Sequence, residues 1–176
     1  VTTLRPYSAK QLGSRFRVIW SGAEYRGRGR QSTWTGRAKF TGSTISQISK
    51  INAWNHERRL EQTSRDTVEW HAMTTGNFGG FDVWLTEGED AMLELTSNHG
   101  TMSHRLADIG LEDKILDAGG LARQLRVFRL PEQIECAQIS EEVQIPLHTN
   151  GDNPLWVCVT TEDGFQAWSS PIFAFK

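Results

Sequence analysis

A chain of 176 residues with 23% charged and 38% hydrophobic residues carries enough apolar material for one well-buried domain and too much for a disordered one. A formal net charge of −2 gives no global field to hold nucleic acid or an anionic membrane surface. The longest apolar runs, such as Leu155 to Val159, fall far short of the roughly 20 residues a membrane span needs, so a soluble chain with no nucleic-acid and no membrane partner is expected.

Position 1 is Val and a polar, Arg-containing stretch follows, which predicts a mature chain or an excised fragment. The first strand signal is Arg15 to Trp20, where Phe16, Val18 and Trp20 alternate with polar positions before Ser21-Gly22. Tyr25-Arg26-Gly27-Arg28-Gly29-Arg30 offers little apolar area and reads as a loop or bulged edge. Strand character returns from Ser32 to Phe40. In Thr44 to Trp54 the residues Ile45, Ile48 and Ile51 are three apart, but the β-branched and Ser/Thr content favours an extended chain with a bulge over a helix.

Asn55 to Asp66 has only Leu60 to bury and is expected to run over the surface. Val68 to Met73 alternates again, and the Gly-rich stretch 76–80 leads into Phe81, Val83 and Leu85 as the second strand of a hairpin. Another hairpin is expected from Met92 to Thr96 and Thr101 to Leu106 around Ser97-Asn98-His99-Gly100. Leu106 to Leu116 holds the one plausible helical turn, and Leu121 to Leu130 is a strand closed by Pro131.

Val143, Ile145 and Leu147 alternate before the turn 150–154, and Leu155, Val157 and Val159 alternate after it, predicting a third hairpin. Glu162-Asp163-Gly164 turns the chain into Phe165 to Trp168, and Ile172 to Phe175 closes it. About ten strands with no helix long enough for a βαβ unit predict an all-β fold, an antiparallel β-sandwich in which residues 1–176 form a single domain.

No catalytic signature is visible. Five His residues lack an HxH or HExxH spacing; His99 with His104, and His56 with His71, form pairs without a third ligand, so neither a metal nor another cofactor is expected. Cys136 and Cys158 lack a CxxC spacing and read as a strand-to-strand bridge or as small core residues. Arg26, Arg28 and Arg30 with Tyr25 offer guanidinium forks that could hold phosphate or RNA, but in a short run of a mildly acidic chain a solvated loop, or an arm that contacts carboxylates of a neighbouring domain, is the expected reading. Among seven Trp, Trp20, Trp70 and Trp168 fall within strand patterns and are expected in the core. Trp34, Trp54, Trp84 and Trp156 are the candidates for exposure, and Trp34 with Trp54 would make a sugar-stacking platform, so carbohydrate is a second partner class.

The segment Asn153-Pro154-Leu155-Trp156-Val157-Cys158-Val159-Thr160-Thr161-Glu162-Asp163-Gly164-Phe165-Gln166-Ala167-Trp168-Ser169-Ser170-Pro171-Ile172 resembles the ending of large bacterial proteins with a PHP-type metal-dependent phosphoesterase domain. Trp20 to Arg30 and Trp70 to Asn77 look like the region after the catalytic domain in such proteins. The His and Asp clusters that hold metal in that family have no counterpart in this chain, so no catalytic residue carries over. The resemblance implies an accessory, non-catalytic C-terminal β-sandwich whose partner is the catalytic domain of the same protein; the alternative, drawn from Trp34 and Trp54, is a carbohydrate-binding module.

Overall fold

The computed structural model describes residues 3–5, 7, 10, 12–52, 59–86, 90–133, 138–161 and 164–175. Ten strands, β1 (Arg15–Arg26), β2 (Gly29–Thr41), β3 (Thr44–Ile51), β4 (Arg59–Ser64), β5 (Thr67–Thr74), β6 (Phe78–Thr86), β7 (Met92–Ser97), β8 (Gly100–Arg105), β9 (Lys114–Asp117) and β10 (Leu121–Leu130), join in one antiparallel sheet. It folds on itself into two halves, β3-β6-β1-β10-β9 and β4-β5-β2-β7-β8, in a nearly closed, barrel-like sandwich. The strand β1 serves both: residues up to Ala23 pair with β10 and β6, while Glu24 to Arg26 pair with β2.

The alternation along each strand explains which side faces in. On β5, Val68, Trp70, Ala72 and Thr74 are buried while Glu69, His71 and Met73 are exposed, so this half has one wet face. On β1, Arg15 to Trp20 are all buried, because the outer face of the β1 half is covered as well. Phe16, Val18 and Trp20 point into the main core with Trp34, Phe40, Trp70, Phe81 and Leu95. Ile19, Ile51, Phe128 and Leu130 form a second cluster packed by Tyr7 and Phe78. The Arg5 guanidinium lies 4.1 Å from the Phe128 ring centre and pairs with Asp113 at 2.5 Å, which ties the N-terminal segment down. Burial pushes the Tyr7 phenol up from its ordinary value, against the pull of Arg5.

At the centre of the core, Trp20 and Trp70 stack with ring centres 5.2 Å apart and planes 5° from parallel. Two indoles this close and this parallel couple as chromophores. The folded chain is expected to show an exciton couplet in its far-ultraviolet circular dichroism, and Trp20→Phe removes it while the sheet signal remains. A couplet unchanged in Trp20→Phe would show that the two rings do not stack in solution.

Several expectations need correction. The stretches before and after 76 do not form a hairpin: β5 pairs with β2 and β4, whereas β6 pairs with β1 and β3, so residues 75–77 cross from one half to the other. Residues 59–64 are not a surface loop but the edge strand β4, with only Leu60 partly buried. Its turn into β5 is set by Asp66, whose carboxyl is held below its ordinary value by hydroxyl donors from Ser64 and Thr67. The expected helical turn is a single 3-10 turn, Leu106–Asp108, and the following strand β9 replaces the rest of it. The bulge expected in the 44–54 stretch is present as a register shift between Ile45 and Gln47, which brings Ile45 and Ile48 to the main core while Ile51 falls on the opposite face, in the second cluster.

The C-terminal part departs most. Residues 138–152 form no strand, so Val143, Ile145 and Leu147 do not pair with Leu155 to Val159. Instead β11 (Asn153–Leu155) pairs with β14 (Ile172–Ala174), and β12 (Cys158–Thr160) with β13 (Gln166–Trp168), as two two-stranded sheets outside the ten-stranded one. The two ladders follow one another along a single long hairpin. Asn153, buried, holds its base through its side-chain amide, which accepts from the His148 N–H at 2.7 Å and donates to the His148 carbonyl at 3.2 Å.

Candidate functional site

The structure brings Tyr25, Arg26, Arg28 and Arg30 together. They form the tip of the β1–β2 hairpin, where Gly27 takes a φ of 61° at the first central position, as a type II′ turn requires, and Tyr25 pairs directly with Arg30. The expected loop is thus an ordered finger in which every residue from Tyr25 to Arg30 is exposed. Tyr25 is 70% exposed. Glu24 at the finger's base accepts from Arg123 at 2.7 Å and from Arg26 at 3.3 Å. Among the described residues no carboxylate pairs with Arg28 or Arg30. The tip therefore presents planar cations beside an aromatic ring, an arrangement that recognises carboxylates or phosphate-like oxyanions by paired N–H donors.

The sugar platform is not built as expected. Trp34 is 0% exposed, and its indole N–H donates to Thr74 Oγ1 at 2.9 Å, so it offers no face to a ligand. The reason is parity: Ser32, Trp34, Ala38 and Phe40 share the inward side of β2. Trp54 lies outside the described residues. Trp84 is half-buried, with the Arg15 guanidinium 4.8 Å from its ring centre. Trp168, expected in the core, is 67% exposed, and Trp156, expected exposed, is so at 55%.

His71 and His99 find ordinary partners. His71 Nδ1 lies 3.0 Å from Thr35 Oγ1. His99 Nε2 is 3.1 Å from Ser32 Oγ and 2.9 Å from the Thr33 carbonyl, and the ring meets Trp34 edge-on. A Ser beside a His invites a nucleophile-and-base reading. Nε2 also lies 3.3 Å from the Asn98 Nδ2 donor, so three groups share this one ring nitrogen and it is not held free for Ser32. Ser32 is also fully buried. This is a structural network that pins the β7–β8 turn to β2, reinforced by Asn98, which accepts from the Thr35 N–H and donates to the Thr33 carbonyl at 3.0 Å each. Among the described residues no three His, Cys, Asp or Glu side chains converge as a metal site. His56 lies outside them.

Sequence reasoning missed the outermost feature. From Trp156 to Phe175 the hairpin exposes Trp156, Val157, Val159, Phe165, Trp168, Ile172, Phe173 and Phe175, each about half or more. Strand alternation distinguishes the two sides of the hairpin but not whether anything covers them. Cys158, on the same hairpin, is exposed and unbridged, and Cys136 lies outside the described residues. No helix among the described residues is long and apolar enough to cross a membrane.

No family model matches this chain, and neither a curated protein nor a solved structure is found to be similar to it.

Proposed function

We propose that this chain is a non-catalytic accessory domain that braces the catalytic domain of a larger PHP-type metal-dependent phosphoesterase. The observation that carries the reading is the basic finger. A hairpin that holds Tyr25, Arg26, Arg28 and Arg30 clear of the body, in a chain of net charge −2, is built for contact with an acidic surface rather than for solubility. The resemblance of residues 153–172 supplies the identity of the partner. With Trp34 enclosed, no specific observation favours sugar binding at the site expected from the sequence.

The test uses the chain and a separately produced catalytic domain. The two are expected to associate, with affinity falling as salt rises, and the combined substitution Arg26→Ala, Arg28→Ala, Arg30→Ala is expected to weaken association about tenfold or more, each exposed cation contributing a few tenths of a kcal/mol upward. The finger is exposed throughout, so the variant should fold with unchanged circular dichroism. Chelator-sensitive hydrolysis of phosphoesters by the chain alone would sink the reading.

A further inference from the structure

The hairpin from Asn153 to Ala174 meets the sandwich at its tip, while the large apolar side chains along it are exposed among the described residues. At its base Asn153 closes a local turn with His148 and Gly151 of the stretch that leads into it. At its tip Gly164 is buried, and a Cβ there would meet Asn52 Oδ1 and Ile51 Cγ2 at 2.6 Å, so the turn sits directly on the end of β3. The hairpin is therefore placed, not trailing. Its ladder fixes which residues share a side: Cys158 pairs with Trp168, and Val159 with Ala167, so Trp168 lies on one face and Val159 on the other. In the second ladder Leu155 pairs with Ile172, and Pro154 with Phe173, which again sends Ile172 and Phe173 to opposite faces. Exposure is 67% at Trp168 against 56% at Val159, and 66% at Ile172 against 49% at Phe173, so both faces are apolar and both are bare.

From the geometry we infer that this hairpin is a tongue that inserts into an uncharged, apolar-lined cleft of the catalytic domain, which would cover both of its faces at once. The inference rests on the accessory-domain reading and names the surface that does the bracing. Three observations favour an apolar cover over both faces, and the accessory-domain reading supplies the catalytic domain as its source. First, an isolated two-stranded hairpin is marginal in water, and one with apolar residues on both faces has the pattern of strands covered on both sides. Second, the eight exposed side chains offer roughly 800 Å², about the area one partner contributes to a stable interface. Third, between Asn153 and Phe175 the only charged residues in the sequence are Glu162 and Asp163, outside all four strands, so no side chain of the ladders requires a counter-ion. A second copy of this chain fits less well: stacking two hairpins through equivalent faces covers one face of each and leaves the other exposed.

Cys158 reports on the cover, because it is exposed and shares its face with Trp168. The experiment measures alkylation at Cys158 by peptide mass spectrometry in this chain alone and in the full-length polypeptide, both carrying Cys136→Ser. We expect at least tenfold slower alkylation in the full-length protein, a rate independent of concentration in the isolated chain, and recovery of the fast rate in full-length Trp168→Asp. Retention of the Trp20–Trp70 exciton couplet in that variant shows that the sandwich is intact. Equal rates in both proteins would overturn the tongue while leaving the accessory reading standing if the finger variant still weakens association. Loss of both effects removes the reading as well. Protection that grows with the concentration of the isolated chain would instead identify a second copy as the occupant, and protection by added oligosaccharide would identify a sugar; either overturns the proposal.

Discussion

Asp82→Asn is expected to lower the stability of the chain by about 3–5 kcal/mol, the magnitude seen when one partner of a buried charge pair is removed. The cause is the register of β1 on β6, which sets Arg17 opposite Asp82 and Arg15 one step away. Arg17 Nε donates to Asp82 Oδ1 at 2.6 Å and its Nη2 to Oδ2 at 2.8 Å, while Arg15 donates to Oδ2 through Nε at 3.1 Å and also through Nη2. Asp82 is 3% exposed and Arg15 2%. One carboxylate thus serves two guanidiniums in a site that water does not reach. An amide of the same shape brings no charge and turns an NH₂ donor toward groups that are themselves donors, so the loss is expected for Asn nearly as fully as for Ala. Urea titration checks it, and the midpoint of thermal unfolding should fall by roughly 10 °C or more. The contrast is Arg37 with Glu94, 4.0 Å apart and each about half exposed, where Glu94→Gln is expected to change stability by less than about 0.5 kcal/mol. Equal small effects at both sites would show that Asp82 is not the anchor of the outer face.

The second large effect is expected at Gly36, and it should depend on who its neighbour is. A Cβ at Gly36 would lie 2.3 Å from Cζ2 and 2.7 Å from Cε2 of Trp70, and 2.7 Å from the Thr96 carbonyl oxygen. Gly36 is paired with Trp70 across β2 and β5, so the missing side chain is what lets the indole lie flat against the sheet and stack on Trp20. Gly36→Ala is expected to destabilise by about 1–3 kcal/mol through overpacking. In a Trp70→Phe background the atoms it strikes are gone, and only the Thr96 carbonyl resists, so the same substitution should cost at least about 1 kcal/mol less. Trp70→Phe also removes a buried indole N–H that has no partner among the described residues, which offsets part of the lost volume. A double-mutant cycle that came out additive would mean that Gly36 is needed for the backbone and not for the ring.

Where the sequence was legible, side-chain parity made it so. Phe16, Val18 and Trp20 on β1, the 97–100 turn of the β7–β8 hairpin, and the bulge that turns Ile45, Ile48 and Ile51 into one strand all follow from local patterns that a ladder must obey. The exposed basic tip from Tyr25 to Arg30 was legible for the same reason, since glycines and arginines offer nothing to a core. What alternation leaves undetermined is pairing. Residues 68–73 and 78–86 have the pattern of a hairpin, yet they lie in opposite halves of the sandwich, because a strand's partners are chosen by long-range packing and the turn at 75–77 serves a crossing as well as a hairpin. Burial of a given face is settled at the same level. Trp34 and Trp168 both sit in strand-forming stretches, and the sequence alone points Trp34 outward and Trp168 inward. The tertiary structure reverses them: β2 lies inside a ten-stranded sheet that closes over Trp34, while β13 pairs with β12 alone among the described residues and leaves Trp168 exposed. The sequence by itself determined that the chain is all-β and where its basic tip lies; the structure alone decided that its last strands stand outside the sandwich, because burial depends on what packs over a strand and not on the strand.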